Sequence, residues 1–247
     1  MGSDPWQPEV DALVAWMRQA VQAARAKGAV VALSGGIDSA VVAHLLGRAL
    51  PGATLGVLLP CHSDAQDLID GQLAAQSAGI PTVTVQLDEP YDALYAALQA
   101  SGEPTAVALA NVKPRLRMNA LYYHAARTQS VVFGTGNRAE LELGYFTKYG
   151  DGGVDFLPLG GYLKTEVRQL AVSLGVPPRI IARTPSAGLW AGQTDEGEMG
   201  LTYSEIDSYL ASGAGDPSVI ERMEGMRQKN RHKLTMPPIF VRPGGAR

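Results

Sequence analysis

The sequence predicts an α/β fold: a three-layer, doubly wound arrangement with a central parallel sheet and helices on both faces. Short β-branched runs alternate with segments of helical periodicity, and the connections between them are short, which is typical of right-handed βαβ units. The chain has 247 residues, of which 46% are hydrophobic and 18% charged. That is enough for one large domain with a complete core, so we expect a single domain over residues 1–247.

Each element follows from a local pattern. Apolar residues recur at helical spacing from Val10 to Ala26, and Lys27-Gly28 ends that helix. Glycine and proline mark most later boundaries. The other predicted elements are strand Ala29–Leu33, helix Asp38–Leu50, strand Thr54–Leu59, helix Ala65–Ser77, strand Thr82–Gln86, helix Tyr91–Gln99, a helix from Ala106 to about Thr128, strand Val131–Phe133, and helices Lys164–Leu174, Tyr203–Leu210 and Pro217–Asn230.

Ligands of a parallel sheet bind beyond the carboxyl ends of its strands. That rule predicts that Ser34–Ser39, Pro60–Asp64 and Thr135–Glu140 lie on one rim of the sheet. A fourth segment, Thr184–Gly200, has little periodicity, several glycines and three carboxylates. It is a candidate lid that closes over the site, and a plain connecting loop is the alternative.

Charge and cysteine content exclude several classes of protein. The net charge of −3 favours neither nucleic acid nor an anionic membrane as a partner, although residues 216–247 carry seven Lys and Arg against three Asp and Glu. The one cysteine, Cys61, excludes an internal disulfide framework and a cysteine-based zinc site. No stretch resembles a secretory signal or a membrane span. We therefore expect a cytoplasmic protein.

The most informative segment is the loop Ser34-Gly35-Gly36-Ile37-Asp38-Ser39, between the first predicted strand and an apolar helix. Its glycines let backbone N–H groups approach an anion, its serines add hydroxyl donors, and a helix N-terminus follows. The chain lacks both the Walker lysine motif and the Gly-x-Gly-x-x-Gly dinucleotide fingerprint. A pyrophosphate cradle is indicated, with an ordinary glycine-rich turn as the alternative.

This loop resembles the signature of the ATP pyrophosphatase superfamily, whose members split ATP between its α- and β-phosphates. The resemblance implies that the loop binds ATP and that Asp38, in the first helical turn, holds Mg²⁺. It leaves the acceptor open. The residues implied to contact ATP here are Ala32, Leu33, Ser34, Gly35, Gly36, Ile37, Asp38 and Ser39.

Two further motifs, Gly134–Glu140 and the string Gly144-Tyr145-Phe146-Thr147-Lys148-Tyr149-Gly150-Asp151-Gly152-Gly153, are more specific. With them the chain resembles the ammonia-dependent NAD⁺ synthetase family over roughly residues 10–240. The other matching segments are Asn111–Met118, Leu157–Leu159 with Lys164, Thr184–Leu189 and Arg231–Lys233.

The family resemblance implies a carbon–nitrogen ligase that amidates deamido-NAD with ammonia, using ATP and Mg²⁺, through a dinucleotide adenylate. It implies Asp38, Glu140 and Lys164 as catalytic residues, with Asp38 and Glu140 as the metal ligands. Further ATP contacts are implied for Thr135, Lys164 and Ser186, and deamido-NAD contacts for Arg115, Lys148, Asp155, His232 and Lys233. Taken singly, Glu140 could be a solvated helix-start carboxylate and His232-Lys233 a plain basic helix end.

The family also implies a homodimer, for which the helix from Ala106 to Thr128, with Tyr122, Tyr123 and Arg117, is the candidate interface element. About ten residues precede the first predicted helix, so we expect no glutaminase domain and free ammonia, or ammonia from a separate protein, as the nitrogen source. The segment Pro60–Asp70 differs from the usual sequence of the family, and Ser186 occupies a position where relatives often carry threonine.

Two rival functions remain. An adenylating enzyme with another acceptor, such as GMP synthetase or a tRNA-modifying relative, would need a C-terminal dimerisation domain or a basic RNA surface. A nucleotide-binding regulator without turnover is the other rival, and the two candidate metal carboxylates argue against it.

Overall fold

The computed structural model describes residues 4–186, 188–190 and 192–240. Its central sheet is parallel and has the strand order β3-β2-β1-β4. Val30, in the middle of β1, pairs with Leu55 on one side and Val132 on the other. The strands are β1 (Gly28–Ala32), β2 (Thr54–Leu58), β3 (Thr82–Thr84) and β4 (Ser130–Phe133). The predicted parallel sheet is confirmed.

Helices flank the sheet and extend beyond it, and among the described residues none is both long and apolar enough to span a membrane. The helices are α1 (Gln7–Ala23), α2 (Ile37–Ala49), α3 (Ala65–Ala78), α4 (Asp88–Gln99), α5 (Ala106–Ala110), α6 (Val112–Thr128), α7 (Arg138–Leu143), α8 (Lys164–Leu174), α9 (Pro178–Ile181), α10 (Asp195–Met199), α11 (Tyr203–Ser212) and α12 (Pro217–Asn230), and a 3₁₀ turn follows at Arg231–Lys233.

Alternate side chains of β1 enter two different cores, as expected where both faces of a strand are covered. Ala29 and Val31 pack with α1, α2 and α8 on one face of the sheet. Val30 packs with Leu121 and Ala125 of α6 on the other face. Helices on both faces of a parallel sheet confirm the predicted three-layer α/β class.

A third apolar cluster lies outside these layers and joins α7, α10, α11 and α12. Leu143, Met199, Ile206 and Met223 are its most deeply buried large side chains. Because α7 follows β4 directly, this cluster attaches the C-terminal helices to the carboxyl end of the sheet.

The predicted helix from Ala106 to Thr128 is broken in two at Asn111. Pro114 has no N–H to donate to the carbonyl of Ala110, so a continuous helix would lose a hydrogen bond at this point.

Three short helices, α7, α9 and α10, were not predicted. They span six, four and five residues, too few for hydrophobic periodicity to register. The sequence signal for α7 lies in its capping box: Asn137 accepts a hydrogen bond from the Glu140 N–H, and the Glu140 carboxylate accepts one from the Asn137 N–H.

Candidate functional site

A cleft of about 660 Å³ opens beyond the carboxyl ends of the strands. All three segments that the sequence predicted for one rim contribute to its wall, with Ser34, Ser63 and Glu140 as examples. Parallel strands bring their carboxyl ends to the same edge, which is why segments distant in sequence meet here.

The loop between β1 and α2 is closed by its own hydroxyl groups. Ser39 Oγ donates to the Gly36 carbonyl at 2.9 Å, and Ser34 Oγ lies 3.2 Å from Ser39 Oγ. Both serines line the cleft, but Ser39 is buried and its hydroxyl closes the loop, whereas Ser34 is exposed. Gly35 has a φ of +79°, and a Cβ there would lie 2.7 Å from the Asp67 carbonyl oxygen. Only glycine fits this turn.

Four side chains from different parts of the fold meet at the start of α2. The Lys164 ammonium pairs with Asp38 Oδ2, and Asn137 Nδ2 donates to Asp38 Oδ1 at 3.2 Å. The backbone N–H of Asn137 donates to Glu140 Oε2 at 3.1 Å. Asp38, Glu140 and Lys164, the three predicted catalytic residues, are thus brought together.

Negative charge is in excess around Lys164. Burial and the nearby charge of Asp38 raise the pKa of Glu140 to about 8. Burial acts against the charge on Lys164, but Asp38 and Glu140 outweigh it, so the pKa of that ammonium is raised. A carboxylate with a raised pKa beside a second carboxylate indicates a place where an added cation would be stabilised.

The donor set fits Mg²⁺, which prefers hard oxygen ligands and is commonly held by one or two carboxylates together with substrate phosphates. Within residues 4–186, 188–190 and 192–240, no group of three or more His, Cys, Asp or Glu side chains is arranged to hold a metal ion. The remaining oxygen ligands of a metal at Asp38 and Glu140 would therefore have to come from nucleotide and water.

The start of α8 is held by a residue that sequence reasoning missed. Asp207, on α11, accepts hydrogen bonds from the N–H groups of Lys164 and Thr165 at 3.2 and 2.9 Å. A carboxylate at a helix N-terminus satisfies free N–H groups and complements the helix dipole. No local signal points to Asp207, because it lies 43 residues beyond Lys164.

Tyr203 was also missed. Its hydroxyl donates to Asp195 Oδ2 at 3.0 Å and lies 3.4 Å from Glu140 Oε1. The Lys164 ammonium stands 4.9 Å from the centre of its ring. Burial and the surrounding carboxylates raise the pKa of Tyr203, so it stays a neutral donor. Tyr203 thus joins α10 to the centre of the cleft.

Most of the predicted ATP residues line the cleft, while Gly35 lies behind it, covered by Arg183 and α3. The members of the set that line it are Ala32, Leu33, Ser34, Gly36, Ile37, Asp38, Ser39, Thr135, Lys164 and Ser186.

Four of the five residues predicted for deamido-NAD form a connected cluster. Arg115 Nη2 donates to the Lys148 carbonyl at 3.3 Å, and Lys148 Nζ donates to the His232 carbonyl at 2.6 Å. Lys233 Nζ donates to the carbonyls of Gly144 and Phe146 at 2.7 and 2.8 Å, and of this cluster it alone lines the cleft.

Asp155, the fifth of these residues, makes its contacts elsewhere. Its carboxylate accepts hydrogen bonds from the Tyr122 hydroxyl at 3.0 Å and from the Val132 N–H at 2.8 Å. The side chain therefore ties β4 to α6.

Arg117, which was predicted for an interface with Tyr122 and Tyr123, turns toward the cleft within this chain, and its part in an interface stays a prediction. Its guanidinium donates to the Leu59 carbonyl at 3.1 Å and to Ser63 Oγ at 3.2 Å, and it lines the cleft. Periodicity alone could not orient this residue, because α6 has mixed faces. Tyr123 on the same helix is 65% exposed and remains available for an interface.

The predicted lid segment is tied to the body of the protein at several points. Lys113 Nζ donates to the Leu189 carbonyl at 2.9 Å, and the Tyr145 hydroxyl donates to Glu198 Oε2 at 2.7 Å. Within the segment, Gln193 Nε2 donates to the same Glu198 oxygen. Ala187 and Ala191 lie outside the described residues. Closure over the cleft stays a prediction.

A family model described as NAD synthase matches residues 9–237. The chain belongs to the NAD synthase family. It is similar to the NH₃-dependent NAD⁺ synthetase of Carboxydothermus hydrogenoformans, with 50% identity over 95% of this chain and 97% of the relative.

Solved structures agree with this assignment. The chain resembles the NMN synthetase from Francisella tularensis, with a TM-score of 0.89, 37% identity, and coverage of 96% of this chain and 97% of that one. It also resembles the NH₃-dependent NAD synthetase from Campylobacter jejuni, with a TM-score of 0.81, 31% identity, and coverage of 96% and 99%. The predicted family and the prediction of a ligase in NAD biosynthesis are confirmed.

Proposed function

We propose that this NAD synthase family member amidates deamido-NAD with ammonia, at the expense of ATP, to give NAD⁺, AMP and pyrophosphate. The observation that carries the proposal is the meeting of Asp38, Lys164 and Glu140 at the end of a glycine-rich anion loop, inside one cleft. The identity with NH₃-dependent NAD⁺ synthetases along nearly the whole chain supports the same reaction.

In the first step a nicotinate carboxylate oxygen attacks the α-phosphorus of ATP, and the bond to the β-phosphate breaks with its electrons going to pyrophosphate. Backbone N–H groups of the Ser34–Ser39 loop and the α2 N-terminus would bind the departing pyrophosphate. Lys164 is already charged and fixed by Asp38, so its ammonium can offset negative charge that develops on the phosphate oxygens.

In the second step the nitrogen of ammonia attacks the carbonyl carbon of the dinucleotide adenylate, AMP leaves, and the nitrogen loses a proton. We propose that Arg115, Lys148, Asp155, His232 and Lys233 bind the dinucleotide, and that Thr135 and Ser186 contact ATP. Mg²⁺ held by Asp38 and Glu140 would neutralise phosphate charge and make the leaving group better.

The assay that tests this function is incubation of the folded protein with ATP, Mg²⁺, ammonium and deamido-NAD. We expect NAD⁺, AMP and pyrophosphate in equal amounts. Folded protein that forms neither NAD⁺ nor pyrophosphate would contradict the proposal and favour a binding function without turnover.

Asp38→Asn tests the role assigned to the loop carboxylate. The amide keeps the size of the side chain but loses the negative charge that Lys164 and a metal would contact. We expect a fall in turnover of at least about 100-fold, on the scale of losing one electrostatic contact at a reacting centre. Thermal unfolding should remain cooperative, and near-normal activity would remove Asp38 from the site.

The likeness to a structure of an NMN synthetase favours a second candidate acceptor, the deamido form of the mononucleotide. Parallel assays with deamido-NAD and deamido-NMN decide between them by the ratio of their kcat/KM values. A ratio above about 10 in favour of one identifies the acceptor to which the cleft is better adapted.

We further propose that the protein acts as a homodimer through the surface of α4 and α6. No residue of α4 is buried, and Leu94, Leu98 and Tyr123 are large apolar side chains exposed on these two helices. Exposed apolar groups on adjacent elements are typical of protein–protein contacts.

A further inference from the structure

Arg117 brings a positive charge to the side of the cleft formed by β2. Its helix, α6, packs on the sheet, and its guanidinium reaches the turn that follows β2, where Nε donates to Leu59 and Nη2 to Ser63. Because β2 is the neighbour of β1 in the sheet, this guanidinium lies one strand away from the loop Ser34–Ser39.

The guanidinium has hydrogen-bonding capacity to spare. An arginine has five N–H donors, and Arg117 uses one on Nε and one on Nη2, while Nη1 makes no hydrogen bond with any residue in the described part of the chain. It also has no ion pair with a carboxylate in that part. A partly buried cation with free donors in a cleft is costly unless something binds it.

The other half-buried or buried cations of the cleft are compensated. Lys164 pairs with Asp38, and Arg183 pairs with Asp67 and Asp70. Lys233 donates to two backbone carbonyls. Arg117 differs from Lys164 and Arg183 in having no carboxylate partner among the described residues, and it leaves three of its five N–H donors without a partner there.

Lys113 adds positive charge near Arg117, whereas the charges of Asp67 and Asp151 act on the guanidinium from a distance, without an ion pair or hydrogen bond to it among the described residues. Lys113, one turn earlier on α6, is buried and donates only to the Leu189 carbonyl. Cys61 is also buried, and burial raises the pKa of its thiol, so it stays neutral beside these cations. The β2 side of the cleft therefore holds two cations, Arg117 and Lys113, that have hydrogen bonds but no ion pair with a carboxylate among the described residues.

We propose that Arg117 is a binding residue for a phosphate group of a bound nucleotide. A planar guanidinium with free donors suits a phosphate oxygen pair. The phosphate belongs either to ATP or to the acceptor nucleotide, and in that respect the inference rests on the proposed function.

The test measures equilibrium binding of ATP and of deamido-NAD, separately, by titration calorimetry. Arg117→Met removes the charge and keeps much of the aliphatic part of the side chain. Arg117→Lys keeps the charge but lacks the planar guanidinium with its paired N–H donors. Arg127→Met is the matched control, because Arg127 is an exposed arginine on the same helix. Ser63→Ala removes one of the two contacts of the guanidinium while leaving the guanidinium itself in place.

We expect Arg117→Met to weaken binding of one nucleotide by about 10- to 100-fold, the range for a hydrogen bond to a charged group. Arg117→Lys should be intermediate, and Ser63→Ala and Arg127→Met should stay within about threefold of the parent protein. The nucleotide affected identifies the source of the phosphate.

Two results would overturn the proposal. Unchanged affinity of Arg117→Met for both nucleotides would exclude a ligand contact, and equal losses in Arg117→Met and Ser63→Ala would mean that Arg117 only holds the turn 59–63. The proposed function fails separately, if the parent protein binds nucleotide and forms no NAD⁺. A parent protein that binds neither nucleotide contradicts both.

Discussion

Asn137 uses the two ends of its side-chain amide for different contacts at the centre of the cleft. The oxygen accepts from the Glu140 N–H at 3.1 Å and so caps α7, while the nitrogen donates to Asp38 at 3.2 Å. The residue is completely buried. The Asn137 backbone N–H also donates to Glu140 Oε2 at 3.1 Å, so this residue contacts both candidate metal carboxylates, Asp38 through its side chain and Glu140 through its backbone.

Asn137→Ser tests this positioning role. Serine is a good N-cap, so α7 should persist, but its hydroxyl is too short to reach Asp38. We expect turnover to fall about 10- to 100-fold, with a higher Mg²⁺ concentration needed for half-maximal protection against thermal unfolding. Asn119→Ser, at an exposed position on α6, is the control. Equal Mg²⁺ dependence in both variants would contradict the assignment.

The raised pKa of Glu140 predicts a pH dependence of stability in the metal-free protein. The pKa of Glu140 is about 8 in the folded state, above its value in the unfolded chain, so the folded state binds a proton on Glu140 more tightly. Binding of this proton stabilises the folded state at low pH, and the stabilisation is lost as the pH rises toward 8. At pH 8, Glu140→Gln should therefore unfold at a higher temperature than the parent protein, and its free energy of unfolding should be larger by more than about 1 kcal/mol. At pH 5 the difference should be smaller.

The measurement is thermal unfolding in a chelating buffer at several pH values. Glu103→Gln, at an exposed site, serves as the control. Parallel curves for Glu140→Gln and the parent protein would be inconsistent with a titration of Glu140 in this range.

At the level of elements, the cleft depends on how helix ends are held. Lys164 is the first residue of α8, so its ammonium is aimed by the same turn that Asp207 caps from α11. The third apolar cluster holds α11 against α7. A substitution in that cluster that shifts α11 would therefore move Asp207, the start of α8 and, with it, the Lys164 ammonium that pairs with Asp38.

Asp207→Ala tests this link. Two N–H groups at the start of α8 would lose their acceptor, which should lower the free energy of unfolding by about 1 to 3 kcal/mol. Turnover should fall as well, at temperatures where the variant is fully folded, because Lys164 is no longer fixed. Asp216→Ala removes the exposed N-cap of α12, at the end of that helix away from the cleft-lining Lys229 and Asn230, and is the matched control, with a similar loss of stability but a smaller loss of turnover.

Element prediction succeeded where periodicity is long and failed where helices are short. α1, α2 and α8 contribute several side chains each to one core, and their patterns were readable. α10 is capped by Thr194, and α9, which has no side-chain cap, is held by Ile180 in the core, so these short sequences carry little periodic signal. The helix break at Asn111 is due to Pro114, and the spacing of apolar residues, from which the helix was predicted, carries no information on the effect of a proline.

At the scale of the whole molecule, the cleft lies at the end of the sheet and the proposed dimer surface lies on α4 and α6. Val172, on α8, is as exposed as Tyr123, at 65% each, but belongs to the opposite face of the sheet. The two positions therefore form a matched pair for a test of assembly.

Tyr123→Glu should shift the protein from dimer to monomer in sedimentation experiments, because a charge buried in an apolar contact is unfavourable. Val172→Glu should leave the mass unchanged. A parent protein that sediments as a monomer at micromolar concentration would contradict the dimer, and equal behaviour of the two variants would contradict this surface. The single-domain boundary and the cytoplasmic setting stay predictions.

The local sequence determined the anion loop between β1 and α2, the place of Asp38 in the first turn of a helix, the parallel α/β class and the family. These follow from residue type and spacing within short segments, which the linear sequence specifies directly. Only the tertiary structure decided that Lys164, 126 residues beyond Asp38, is its partner, that Asp207 caps α8, and that Arg117 turns toward the cleft. Such pairings depend on how helices pack against the sheet, and helix packing is set by side-chain volumes across the whole core rather than by any one segment.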